Sequence, residues 1–182
     1  MPLYYVTGVS GSGKSTVRRE LKARGYKAPG VDEEGYGNWV DRTTGEVVPY
    51  PHDDKNLDFH DWYKRHEWEI SLEKIMPLKE QAEREHIPIF LCGAASGDSK
   101  AWHLFDKVIA LVVDADTLEH RIRTRAENDY GKTPEELALI LKWHGKFNED
   151  YHKFGAEIID ATRPLDEVVD AILRAAGVGP AQ

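Results

Sequence analysis

Eight residues constrain this chain more than any other stretch: Gly8-Val9-Ser10-Gly11-Ser12-Gly13-Lys14-Ser15. They follow a short apolar run, Leu3 to Thr7, and precede a helical pattern from Thr16 to Arg24. This is the G-x-x-x-x-G-K-[ST] spacing in the context it requires, a strand before and a helix after. Glycines at 8, 11 and 13 let the backbone turn tightly and approach phosphate oxygens with no Cβ in the way. Successive N–H groups then converge as an anion nest at a helix N-terminus, where the dipole favours negative charge. Lys14 has the reach for β- and γ-phosphates, and the Ser15 hydroxyl suits a Mg²⁺ ion. Ser10, Ser12 and Thr16 complete the loop's expected contacts. The stretch predicts a nucleoside triphosphate site, with ATP and Mg²⁺ as cofactors.

The rest of the composition narrows the class. At 182 residues the chain is most simply one domain, long enough for a substantial core. Hydrophobic content of 41% with 31% charged residues is that of a soluble globular protein. No apolar run approaches the roughly 20 residues of a membrane span, so no membrane partner is expected. A strand starting at residue 3 leaves no room for a signal peptide. The single cysteine, Cys92, rules out an internal disulfide framework and fits a reducing cytoplasm. A net charge of −8 argues against nucleic acid as the main partner. Together these features predict a cytoplasmic α/β enzyme, monomeric or homodimeric.

The elements follow from periodicity. Val17 and Leu21 mark the inner face of the first helix, and Gly25 ends it. Tyr26 to Val31 predicts a second strand, placed at an edge by Pro29, with Asp32-Glu33-Glu34 at its tip. Residues 35–57 are irregular and aromatic (Tyr36, Trp39, Tyr50, His52), with a hairpin predicted to turn at Thr44-Gly45. Their aromatics favour function over disorder. A long helix is expected from Asp58 to about Glu85, with Phe59, Trp62, His66 and Ile70 on one stripe and a break or kink at Pro77. Ile87 to Cys92 and Lys107 to Val113 read as buried parallel strands, with a short helix from Ser99 to Phe105 between them. Asp116 with Glu119 predicts the cap of a helix through Arg121 and Arg125. Thr133-Pro134-Glu135-Glu136 starts another, running to about His152 with Leu137, Leu141 and Phe147 inward. A last strand at Glu157 to Ile159 and a last helix from Pro164 to Ala176 complete an open parallel sheet, with ligands expected beyond the strands' C-terminal ends.

On the phosphate loop and this alternation, the chain resembles the small phosphoryl-transfer kinases of the P-loop superfamily, the group of adenylate, shikimate, gluconate and related nucleoside kinases. The resemblance spans nearly the whole length. It implies a three-layer fold with a five-stranded parallel sheet in the order 2-3-1-4-5, a substrate-binding insertion at about 35–75 and a lid region at about 121–150. It implies that Asp32 accepts a proton from an acceptor hydroxyl and reaches Mg²⁺ through water, with Glu34 close by. Arg121 and Arg125, four apart and so on one helix face, match an R-x-x-x-R pattern that implies adenine stacking for Arg121 and phosphate contact for Arg125. A solvated basic face is the alternative reading. The Asp160 to Pro164 loop, with Arg163 and Pro164, is either an adenine-edge contact or a plain strand-to-helix connection. Cys92 ends its strand with no aspartate at the tip, a departure from the usual second metal ligand. Gly93 instead resembles a glycine that approaches substrate.

These readings converge on an ATP-dependent kinase whose catalytic residues are Lys14, Asp32 and Arg125, transferring the γ-phosphoryl to a small-molecule hydroxyl. Trp39, Arg42 and Arg65 are the insertion's candidate substrate contacts, although its aromatics serve equally as ordinary core. Competing readings are a nucleoside monophosphate kinase, for which Arg42 and Arg65 are the available clamps, a 5′-polynucleotide kinase, and a nucleotide-binding regulatory ATPase.

Overall fold

The computed structural model describes residues 2–51, 57–96, 98–126 and 129–179; His52 and the residues up to 56 lie outside them. Strand β1 (Leu3–Thr7) is buried along its whole length. Helix α1 (Lys14–Ala23) follows the phosphate loop. Beyond a separate group of small strands come α3 (Leu72–Glu85), β5 (Ile89–Cys92), β6 (Lys107–Val112), α4 (Ala115–Thr124), α5 (Pro134–Lys153), β7 (Glu157–Asp160) and α6 (Leu165–Ala176). Two 3-10 turns, Asp98–Lys100 and Trp102–Leu104, stand where one short helix is expected.

The main sheet is parallel, in the order β5-β1-β6-β7. Leu3 lies opposite Ile89, Tyr4 opposite Lys107, and Ile109 opposite Glu157. Successive strand side chains point to opposite faces, and β1 divides its residues accordingly. Tyr4 and Val6 join Val17 and Leu21 of α1 and Val168 and Ile172 of α6. Leu3 and Tyr5 join Ile75, Leu78 and Ala82 of α3. The result is three layers with a core on each side of the sheet.

The expected fifth strand is absent as a continuous strand. Lys27 and Gly30 make isolated parallel bridges to Ile89 and Cys92, so the sheet has four strands, not five in the order 2-3-1-4-5. Proline is the cause. Phe90 N donates to the Lys27 carbonyl at 2.9 Å and Cys92 N to the Pro29 carbonyl at 2.8 Å. An unbroken parallel ladder would return the residue 29 N–H to the Phe90 carbonyl, and proline has none. The Cys92 thiol donates to that carbonyl instead, at 3.5 Å.

Residues 37–70 differ most from expectation. Strands β2 (Gly37–Asp41), β3 (Val47–Val48) and β4 (His66–Ile70) form a second, antiparallel sheet in the order β3-β2-β4. The hairpin at Thr44-Gly45 is present, with Gly45 at φ 75°. The single helix from Asp58 is not: α2 spans Phe59–Arg65, β4 follows at once, and only then does α3 begin. His66, Trp68 and Ile70 alternate with Glu67 and Glu69, a period of two that satisfies β2 as partner. His66 and Ile70 also fit the helical stripe, which is why the sequence reads both ways. Trp39 stands directly opposite Trp68 in this sheet. Pro77 lies inside α3 without ending it. Asp114, not Asp116, caps α4 by accepting from Thr117 N at 2.7 Å.

Candidate active site

The phosphate loop turns between the tip of β1 and the start of α1. Gly8 has φ 151°, and a Cβ there would lie 2.5 Å from Ser12 Oγ and 2.6 Å from the Leu111 carbonyl. The loop is thus pressed onto its own turn and onto β6, and only glycine fits. Ser12 is fully buried, and its hydroxyl is among the buried side-chain atoms without a hydrogen-bond partner. Lys14 Nζ donates to the Gly8 and Val9 carbonyls at 2.6 and 2.7 Å. Burial of the ammonium pushes the Lys14 pKa down to about 8, with Asp32 opposing the shift and Arg125 adding to it. Lys14 is therefore a cation that a nearby anion readily restores.

A cleft of about 830 Å³ opens over this loop, within the range of small-molecule sites. Ser10 to Thr16 line it, together with Asp32, Trp39, Arg121, Arg125 and Arg163. Asp32 is open to the cleft yet ringed by protein atoms. That enclosure raises its pKa, against the pull of the Lys14 charge. Trp68 also opposes the rise, although its indole N–H makes no hydrogen bond of standard geometry. Asp32 is the one carboxylate among the described lining residues.

Two arginines tie the elements following β6 to the loop. Arg121 donates to the Ser12 carbonyl at 3.3 Å and to the Ala161 carbonyl at 2.8 Å. Arg125 donates to Ser10 Oγ at 3.2 Å and to the Tyr130 carbonyl. The solvated-face reading of this pair therefore fails, because both guanidiniums point into the cleft. Arg123 is the surface member, paired with Glu119 at 2.7 Å.

Several expected contacts lie elsewhere. Glu34 is not a lining residue; it pairs with Arg18 at 3.1 Å and Lys22 at 2.9 Å on the outer face of α1 and accepts from Gly30 N. Arg42 is held by Glu67 at 3.4 Å and by the His66 carbonyl at 3.1 Å. Arg65 is exposed on α2, and neither arginine lines the cleft. Gly93 is buried: a Cβ there would lie 2.4 Å from Val31. Its neighbours Ala94, Ala95 and Ser96 line the cleft instead. Arg163 is a lining residue, half-exposed and paired with Glu167 at 3.1 Å, whereas Pro164 and Gly8 are not lining residues.

Aromatic side chains that sequence reasoning did not single out complete the wall. Tyr63, Trp68, Tyr130, Trp143 and Tyr151 join Trp39 and Phe147 there. Trp39 lies 5.5 Å from Trp68 and 6.3 Å from Tyr63, and Tyr63 lies 4.8 Å from Trp143. Asp32 lies within the influence of both Lys14 and Trp68 of this cluster. The Ser15 hydroxyl and the Asp32 carboxylate are hard oxygen donors in one cleft. They fit Mg²⁺, which takes one or two protein oxygens and leaves the remaining positions to phosphates and water.

A search of curated proteins finds no match. Solved structures share the fold. A sugar kinase from Janibacter sp. HTCC2649 matches with a TM-score of 0.57 at 14% identity, covering 99% of this chain and 96% of its own. Shikimate kinase from Bacteroides thetaiotaomicron gives 0.55 at 13% identity, with 97% and 99% covered. A gluconokinase from Sinorhizobium meliloti 1021 gives 0.52 at 19% identity, with 97% and 91% covered. The resemblance to this group of P-loop kinases, expected from the phosphate loop, is thus found in the fold of the whole chain. The family model described as AAA domain matches residues 5–142, from β1 into α5, and the chain belongs to that family.

Proposed function

We propose that the protein is an ATP-dependent kinase that transfers the γ-phosphoryl group to a hydroxyl of a small molecule. The observation that carries this reading is the placement of Asp32. Among the described lining residues one carboxylate shares the cleft with the phosphate-loop lysine and interacts with its charge, and aromatic residues line the same cleft. A hydroxyl must lose its proton as it attacks, and a carboxylate whose pKa is raised by enclosure suits that task better than an ordinary one. A phosphate acceptor would need arginine clamps. Arg42 and Arg65, the insertion's arginines, lie outside the cleft, which favours the hydroxyl acceptor over a nucleoside monophosphate.

In this reading the backbone N–H groups of the loop hold the triphosphate, and Lys14 and Arg125 stabilise charge developing on the transferred group. Ser15, and Asp32 through water, would hold Mg²⁺, which supplies further charge neutralisation at the phosphates. Arg121 fixes the phosphate loop against the loop after β7, and Arg163 and Leu165 from that side close the nucleotide end. The experiment is a transfer assay with labelled ATP across a panel of hydroxyl acceptors. Acceptor-stimulated ADP release with recovery of a phosphate ester supports the reading. A slow basal hydrolysis that no acceptor raises would point to a regulatory ATPase.

A further inference from the structure

The acceptor end of the cleft is unlike its nucleotide end, and the difference specifies a ligand. The lining cations are Lys14, Arg121, Arg125 and Arg163. Lys14 belongs to the phosphate loop, Arg121 and Arg125 are bonded to it, and Arg163 stands in the loop before α6, so all four lie on the phosphate and nucleotide side. Of the aromatic lining residues, Trp68 lies near Asp32, and it packs with Trp39, Tyr63 and Trp143 as one connected group; Ala94 to Ser96 and Tyr130 also line the cleft. Among the described lining residues, an anionic acceptor would meet a carboxylate there and no arginine or lysine. These ring pairs also form no parallel-walled slot for a flat base. Trp39 is inclined at 55° to Trp68 and at 89° to Tyr63, and Tyr63 at 46° to Trp143. Rings at such angles enclose a compact group from several sides, whereas sandwiching a planar base needs near-parallel walls. A positive charge within about 6 Å of an aromatic face is drawn to its quadrupole, most strongly for tryptophan. One ring of this group already makes such a contact, with the Arg42 guanidinium 5.5 Å from the Tyr63 ring centre.

We propose that this end of the cleft is a cation cage that takes an amino alcohol or quaternary-ammonium alcohol. Its ammonium group sits among the rings of Trp39, Tyr63, Trp68 and Trp143, and its hydroxyl is directed to Asp32. The phosphorylation step rests on the kinase reading above, whereas the cage does not. In that step the acceptor oxygen forms the new bond to the γ-phosphorus. The bond from that phosphorus to the β,γ-bridging oxygen breaks, the hydroxyl proton passes to the Asp32 carboxylate, and ADP leaves.

The test pairs choline with its uncharged carbon isostere, dimethylbutanol, on the full chain. Binding is followed by tryptophan fluorescence and by calorimetry. The cage predicts at least tenfold tighter binding of choline, because only the charge differs. Trp143→Leu, on α5 and part of neither sheet, should weaken choline at least fivefold with the circular dichroism spectrum retained. A Trp39→Phe variant, which keeps a ring, should retain most of the affinity. Equal or undetectable binding of the two probes, or tighter binding of uridine than of choline, overturns the cage. Choline bound selectively but never converted to its phosphate ester leaves the cage standing and defeats the kinase reading.

Discussion

The Arg125 guanidinium reaches Ser10 Oγ across 3.2 Å, joining the end of α4 to a phosphate loop 115 residues earlier in the chain. Arg121, one turn before it, grips the carbonyls of Ser12 and Ala161. The two arginines therefore have separable tasks. Arg125 has a side-chain partner that a phosphate oxygen could replace, so Arg125→Ala should lower kcat by roughly 10²-fold, as loss of a transition-state donor does. Arg121 ties the phosphate loop to the loop after β7, which in the proposed reading frame the nucleotide, so Arg121→Ala should raise KM for ATP by about tenfold and lower kcat less. Steady-state kinetics on both variants checks this; equal small effects would contradict it.

Lys14 gives a pH signature. Its pKa is pushed down to about 8, chiefly by burial, so the free protein loses this charge as pH rises through 8. Bound triphosphate favours the ammonium form and draws the proton back. ATP affinity should accordingly decline above pH 8, and binding near pH 8 should take up a proton. Calorimetry in buffers of different ionisation enthalpy measures both. Lys14→Ala should abolish turnover and proton uptake together while circular dichroism stays native. An affinity that is flat from about pH 7 to 9 would contradict the account.

Cys92 and Gly93, at the tip of β5, test the packing behind Asp32. Burial pushes the Cys92 thiol up to about 12. Iodoacetamide at pH 8 should leave it unmodified in the native protein and label it after unfolding, as mass spectrometry would read. Gly93→Ala would place a Cβ against Val31, the residue before Asp32. It should destabilise the fold by about 1–3 kcal/mol, as overpacking does, and lower kcat by displacing Asp32. An unchanged melting temperature would contradict this packing.

The parts of the site legible in the sequence are those built from local neighbours. The phosphate loop is one run of eight residues, and its motif fixes β1, the turn and α1 together. Arg121 and Arg125 are legible because helical spacing alone puts them on one face. Asp32 is legible as the first acid after an apolar run, but Glu34 is not separable from it by spacing. Only the fold shows that Arg18 and Lys22 of α1 draw Glu34 to the outer side. The aromatic chamber is the opposite case. Trp68 reads equally well on a helix or a strand until β2 pairs with it, and Trp143 meets Tyr63 across 80 positions of chain. No local signal marks that convergence. Pro29 was legible as an edge residue, but its missing N–H falls on the side facing β5, which reduces a strand to two bridges.

The central claim is that Asp32 removes a proton from a hydroxyl acceptor, and Asp32→Asn tests it most directly. Asparagine keeps the size of the side chain and its place in the cleft but cannot act as the base. Loss of a general base costs typically 10²–10⁴-fold, so single-turnover phosphoryl transfer should slow by about that factor. ATP affinity measured by calorimetry on the same variant should change by less than about threefold, since in this reading Asp32 meets the acceptor directly and the nucleotide's metal only through water. Slowed transfer with retained ATP binding is the predicted result. Transfer at the parent rate would contradict the assignment and return the cleft to a kinase whose acceptor is already ionised.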